Sequence, residues 1–206
     1  MRIFTLFFLS LICISCQSKS ASTHDQSTVS QSLDTATFAG GCFWCVEASF
    51  EQLRGVQEAV SGYAGGDKAT ADYKLVSSGR TQHAETVQIY FDPKVISYET
   101  LLEVFFTAHD PTQLNRQGPD VGPQYRSAIF YHNNQQQKTA EQVMKRIAPD
   151  FPKPIVTELN PYQTFYKAED YHQDYEANHP FDRYIVNVSR PKIDKVRKKF
   201  PELLKD

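Results

Sequence analysis

The chain has 206 residues, enough for one domain of ordinary size, and its 22 Lys and Arg nearly balance 24 Asp and Glu. That balance argues against nucleic acid as a partner, because phosphate binding needs a positive surplus or a clustered basic face. With 40% hydrophobic residues, 14 Phe and 11 Tyr, the chain can bury a core and is not a disordered protein; its four cysteines are too few for a disulfide scaffold.

At the N-terminus Arg2 precedes an apolar stretch from Ile3 to Ile14. It is shorter than the about 20 residues that a bilayer-crossing helix needs, and it suits a signal peptide. The end of the stretch, Cys13-Ile14-Ser15-Cys16, resembles a bacterial lipoprotein cleavage site, with Cys13 where Leu is usual. We expect a signal peptide over 1–15 and a lipid-modified Cys16, tethering the chain to a membrane of the bacterial cell envelope on its extracytoplasmic side. Plain secretion, with cleavage near Ser20–Ser22, is the alternative. Residues 16–36 are rich in Ser, Thr and Gln and read as a flexible tether. A single domain, monomeric, is expected over 37–206, with Cys42 and Cys45 as its only thiols.

After Gly40-Gly41, apolar Phe43, Val46, Phe50 and Leu53 recur at helical spacing until Gly55. Val56 to Tyr63 reads as a strand, and His83 to Phe91 alternates as a second one, stopped by Asp92-Pro93. Ser97 caps a helix through Phe106, which must end before Asp110-Pro111. Tyr125 to Tyr131 is a strand, Gln135 to Ile147 a helix, and Ile155 to Leu159 a further strand. A last helix follows Pro191, with the basic residues from Lys192 to Lys199 as its solvated side. This irregular alternation predicts an α+β domain with helices packed on a mixed, mostly antiparallel sheet. His109 to Tyr125 and the aromatic-rich stretch Pro161 to Phe181 read as long, site-forming loops.

Gly40-Gly41-Cys42-Phe43-Trp44-Cys45 carries the strongest chemical signal. A cysteine in the first turn of a helix meets unpaired N–H groups and the positive dipole end, so a lowered Cys42 pKa is expected. The glycines leave room for a substrate or a backbone to approach the sulfur. Cys45 lies one helical turn on, and Phe43 and Trp44 give the sulfur aromatic surroundings. Three readings of the pair compete: structural zinc, structural disulfide and a reactive thiol with its partner. Zinc lacks ligands here, since His172 and His179 are too far apart in sequence for the usual spacing, and a CxxC bridge constrains little of the unfolded chain. Glu85 shares a strand face with Val87, Ile89 and Phe91. It is then a carboxyl on an apolar face, protonated near neutrality and fit for general-acid work, or else it sits at the strand's exposed end. Tyr73, Asp120 and Tyr125 stand in or beside loops.

The segments GCFWCVEASF, DYKLVSSGRTQHAETVQIYFDP and HDPTQLNRQGPDVGPQYRSAIFY resemble motifs of the A-type peptide-methionine sulfoxide reductases, from Thr37 to Pro180. The resemblance implies a ferredoxin-like two-layer core and reduction of the S epimer of methionine sulfoxide, free or in oxidised proteins. It implies Cys42 as nucleophile, Glu85 as the acid that protonates the sulfoxide oxygen, and Tyr73 and Tyr125 as hydrogen-bonding tyrosines. Asp120 matches an active-site carboxylate, and Phe43 and Trp44 match the pocket for the substrate methyl group. Attack by the Cys42 thiolate leaves a sulfenic acid, which a second thiol converts to a disulfide. Many members keep such thiols near the C-terminus. Here no cysteine follows Cys45, which stands where Gly is common, so Cys45 is the expected resolving thiol. No bound cofactor is implied; an external thiol, a thioredoxin-like protein or dithiothreitol, reduces the disulfide. Two other readings are a thiol–disulfide oxidoreductase and a lipid-anchored binding module with a structural disulfide. The first needs a strand ahead of CFWC in a βαβ unit, where only Thr37-Phe38-Ala39 precede the glycines, and neither explains Glu85 or the tyrosines.

Overall fold

The computed structural model describes residue 1 and residues 32–205. The chain divides into Met1–Ser30 and Gln31–Asp206. The signal peptide and the Cys16 lipid site fall outside the described residues, as does most of the tether. In chain order the elements are β1 (Asp34–Gly40), α1 (Phe43–Glu51), β2 (Val56–Ala64), α2 (Tyr73–Ser77), β3 (Ala84–Phe91), α3 (Tyr98–Ala108), β4 (Arg116–Gln117) and β5 (Asp120–Val121). They continue with β6 (Ser127–Tyr131), α4 (Asn134–Ile147), β7 (Glu158–Pro161), β8 (Phe165–Lys167), α5 (Tyr175–Asn178) and α6 (Arg190–Lys199). No helix among the described residues is long and apolar enough to cross a membrane.

Six strands form one mixed sheet in the order β7-β6-β1-β3-β2-β8, with β4 and β5 pairing apart from it. Only β6 and β7 run parallel; every other pair in the sheet is antiparallel. The α+β class and the mostly antiparallel sheet agree with the sequence reading. The apolar face of β3 carries Val87, Ile89 and Phe91, all fully buried, against Phe43, Val46, Phe50 and Leu53 from α1 and just beyond it. Phe38 of β1 joins this core, its ring 4.9 Å from Phe105 of α3 and 5.7 Å from Phe50. Burying each such ring stabilises the fold by roughly 1.5–3 kcal/mol. The polar positions of β3 are buried as well, because β3 lies between two strands and its polar groups pair with neighbours. Gln88 donates to the Thr37 hydroxyl at 3.3 Å and accepts from Tyr90 at 2.7 Å.

Ser97 caps α3 where the sequence places it, accepting from the Thr100 N–H at 3.0 Å, and α4 has its own cap in Asn133, which accepts from the Gln136 N–H at 2.9 Å. Several boundaries differ. The strand β1 begins at Asp34, inside the stretch read as tether, because Asp34 to Phe38 pair with β3. A strand therefore does precede CFWC. It makes no βαβ unit, since both neighbours of β1 are antiparallel and β2 lies beyond β3. The stretch expected as a strand over Ile155 to Leu159 pairs only from Glu158, because the Val156 N–H is taken by the Pro111 carbonyl at 2.8 Å. Tyr125 closes a tight turn over Pro123–Tyr125, and β6 starts after it.

Candidate active site

Pairing between β1 and β3 stops at Phe38 and Val87, two residues short of Glu85. There β1 turns through Gly40-Gly41 into α1, which brings the helix N-terminus over the end of β3 that β1 leaves and that pairs only with β2. Cys42 is the N-cap residue, outside the first turn proper, and its carbonyl accepts from the Cys45 N–H at 3.1 Å. The first free N–H of the helix, on Phe43, donates to Glu85 Oε2 at 3.1 Å. Glu85 is thus the buried-face carboxyl, 2% exposed, and the exposed-end alternative fails. Burial pushes its acid up to about 8, against the Phe43 hydrogen bond, and negative charge on Asp120 adds to the rise.

Both cysteines are buried free thiols. Burial pushes the Cys42 thiol well above its usual value, and its hydrogen bond with Cys45 acts in the same direction. The lowering expected from the helix end is therefore overturned: partial charge at one helix terminus does not replace the water that Cys42 loses. Cys45 is instead lowered to about 6, chiefly by the hydrogen bond from Cys42 and, against burial, by the Lys192 ammonium. Lys192 Nζ lies 3.8 Å from Cys45 Sγ. The other expectation about this turn also changes. A Cβ on Gly41, whose φ is +97°, would meet the Gln117 side chain at 2.6 Å. The space beside this glycine thus receives β4, not a ligand.

Gln117 in turn bonds both the N–H and the carbonyl of Asp110 at 3.1 and 3.0 Å. These bonds tie the β4–β5 hairpin to the end of α3, with Gln117 packed against Gly41, and the hairpin presents Asp120, whose Oδ2 accepts from the Tyr184 hydroxyl at 2.6 Å. Tyr184 also approaches Cys45 Sγ at 4.0 Å. Tyr73, at the start of α2, and Tyr125 are half-buried. Burial raises both phenols, Tyr73 to about 12, and the charges of Glu85 and Cys42 raise them further, so both stay protonated donors.

The aromatic stretch after β7 closes the other side. The Trp44 indole N–H donates to His172 Nδ1 at 3.2 Å, and its ring stacks on Tyr175 at 3.8 Å. Phe43 lies 5.0 Å from the His172 ring and stacks near Tyr73 at 6.5 Å. Glu169 accepts from the Tyr63 hydroxyl at 2.8 Å and the Tyr73 N–H at 3.0 Å, tying this stretch to β2 and α2. On α1, the buried Glu47 accepts from the Ser61 hydroxyl and from the Asp174 N–H, next to Tyr175. Cys42, Cys45, Phe43, Trp44, Tyr73, Glu85, Asp120 and Tyr125 thus gather around one helix end. Sequence reasoning missed Tyr184, Glu169 and Lys192, and weighed His172 only as a zinc ligand. The crowding of aromatic and charged residues between Pro161 and Phe181 was the signal for Glu169 and His172. Nothing local marked Tyr184. Among the described residues no group of three His, Cys, Asp or Glu is placed to hold a metal ion.

The family model described as peptide methionine sulfoxide reductase matches residues 34–204. The chain belongs to this family. A peptide methionine sulfoxide reductase MsrA of Thermus thermophilus is 55% identical over 172 residues, covering 84% of this chain and 98% of the relative. One from Pasteurella multocida is 52% identical over 170 residues, covering 82% and 98%. Methionine sulfoxide reductase A of Corynebacterium diphtheriae superposes with a TM-score of 0.68 at 36% identity, over 72% of this chain and 76% of that one. Reduced Mxr1 of Saccharomyces cerevisiae gives 0.68 at 35% identity, over 72% and 87%. In this reductase the whole cluster, from Cys42 to Lys192, falls within the matched residues.

Proposed function

We propose a reaction course for the methionine sulfoxide reduction, a repair of oxidised proteins, that this family member carries out. The observation that carries it is the buried Glu85: the Phe43 N–H holds it at the helix end beside the Cys42 sulfur, and burial keeps its carboxyl protonated there. The substrate is the S epimer, free or in a protein, with its methyl group against Phe43 and Trp44. Cys42 attacks the sulfoxide sulfur and passes its proton to its hydrogen-bond partner Cys45. Glu85 delivers its proton to the sulfoxide oxygen, aided by the Tyr73 and Tyr125 hydroxyls. The S–O bond of the substrate breaks, methionine leaves, and Cys42 carries the hydroxyl as a sulfenic acid. Cys45 then attacks the Cys42 sulfur; hydroxide departs with a proton as water, and a disulfide remains. Asp120 acts through Tyr184, holding its hydroxyl beside the pair. The enzyme needs no bound cofactor, and a thioredoxin-like protein or dithiothreitol returns the two thiols.

The strand order β6-β1-β3-β2, with α1 and α3 on one side, supports a ferredoxin-like two-layer core extended by β7 and β8. The domain, which starts at Asp34 with β1, works as a monomer behind a signal peptide over 1–15 and a tether that begins at Cys16. Lipid on Cys16 anchors it to a membrane of the bacterial cell envelope, outside the cytoplasm, and the net charge of −2 agrees with proteins and not nucleic acid as partners. A peptide bearing each sulfoxide epimer tests the chemistry. The S epimer should lose its oxygen in the presence of dithiothreitol, and Cys42→Ser, folded, should be inactive. Turnover by folded Cys42→Ser, or preference for the R epimer, overturns this course.

A further inference from the structure

The last helix bears a run of basic residues, and four of them, Lys195, Arg197, Lys198 and Lys199, are exposed as a solvated face should be. Lys192 is different: it is half-buried and its ammonium points at Cys45 Sγ, 3.8 Å away. None of the ion pairs among the described residues involves Lys192. We propose that Lys192 is the positioning residue for the second half of the reaction, holding Cys45 as the thiolate that attacks the Cys42 sulfenic acid.

The groups around Cys45 support this assignment by elimination. From its own helix it meets Cys42, from β3 the Glu85 carboxyl, and from the turn ahead of α6 Ser189 and Tyr184. The Ser189 and Tyr184 hydroxyls also favour the Cys45 thiolate, each less than Lys192 does, and the Tyr184 hydroxyl donates to Asp120 at 2.6 Å; none of these groups, nor Glu85, carries a positive charge. The S–H hydrogen bond from Cys42, the largest influence on Cys45 at rest, is lost once the Cys42 sulfur carries a hydroxyl in place of its hydrogen. Lys192 is the cation that stays. The ring of His109 feels its charge too, but burial holds that imidazole neutral, so it neither competes for Cys45 nor repels Lys192.

In the step itself the Cys45 thiolate forms the S–S bond and the Cys42 S–O bond breaks. The proton that Cys45 took from Cys42 in the first half passes to the leaving hydroxide, which departs as water. Cys45 is oxidised to the disulfide level while the Cys42 sulfur comes down to it from the sulfenic level, so over both halves the two thiols supply the two electrons that reduce the sulfoxide sulfur, and its oxygen leaves as water. This inference rests on Cys45 as resolving thiol, and the experiment separates the two.

Thiolate absorbance of the reduced protein is titrated against pH in wild type, Lys192→Gln, Lys192→Arg and Cys45→Ser, the last identifying the Cys45 band. In Lys192→Gln that band should move up by about 1–3 pH units, as expected when an opposite charge within a few ångströms is removed. Loss of the second thiol after methionine release, followed in a single turnover, should slow by up to roughly tenfold near neutrality. Lys192→Arg should restore both. An unmoved band, or second-thiol loss at the wild-type rate across the pH range in Lys192→Gln, overturns the role of Lys192. If wild type instead loses only one thiol, it is the resolving role of Cys45 that fails, whatever the titration reads.

Discussion

Glu85 goes from a carboxyl's ordinary 4.5 to about 8 in the folded chain. Between those values the unfolded chain gives up the proton while the fold keeps it. The stability contributed by this group is complete below the lower value and is lost as pH rises through the higher one. Glu47, raised to about 7 by burial, acts in the same sense. Glu85→Gln keeps an acceptor for the Phe43 N–H and removes the titration, so its urea midpoint should fall less between pH 4.5 and 8 than that of wild type. Equal slopes would assign the dependence to Glu47 alone. The same substitution should slow methionine release by roughly 10²–10⁴-fold, and Glu85→Ala by more; wild-type rates in both would exclude a general acid here. Glu85 was legible in the sequence because strand alternation has a period of two. The direction of Cys42's shift was not, since a helix end is local and burial is tertiary. Lys192 and Tyr184 reach Cys45 from 147 and 139 positions away, beyond any local pattern.

At the scale of elements, a single glycine couples the reactive helix to the hairpin that bears Asp120. Gly41→Ala would force a positive φ on alanine and drive its methyl into Gln117. The backbone strain alone costs about 1–3 kcal/mol. Gly118, at φ +62°, has open space around it, so Gly118→Ala suffers strain without the clash. Urea unfolding should therefore rank Gly41→Ala as the more destabilised, with reduced sulfoxide turnover as well. Equal losses would mean that the backbone angle, and not the fit of Gln117, sets the requirement. The helices from Phe43, Ser97 and Asn134 were readable because caps and apolar spacing are local signals. The strand β1 was not, because the Ser/Thr-rich composition before it runs on into Asp34-Thr35-Ala36 and only pairing with β3 decides where the sheet begins.

At the scale of the whole molecule, the α+β class was legible from the alternation of elements. The strand order β7-β6-β1-β3-β2-β8 was not, since it depends on pairings between distant segments. The place of the protein in the cell turns on Cys16. Mass spectrometry of the mature chain should find an N-terminal cysteine at position 16 carrying acyl groups. A mature chain beginning near Ser20–Ser22 without lipid would mean secretion and no anchor.

The chain contains one tryptophan, and it is Trp44, between the two cysteines. Its indole is stacked on Tyr175 and hydrogen-bonded to His172, so all tryptophan emission of the protein arises within the reactive cluster. A disulfide across the first turn of α1 must bend the backbone that carries this ring. Mixing the reduced enzyme with one equivalent of sulfoxide should therefore change the fluorescence as the second thiol disappears, and dithiothreitol should reverse it. A signal that stays flat through the turnover would mean that the turn holds its shape while the bond forms. Such a change would make Trp44 an optical reporter of oxidation state, with no label required.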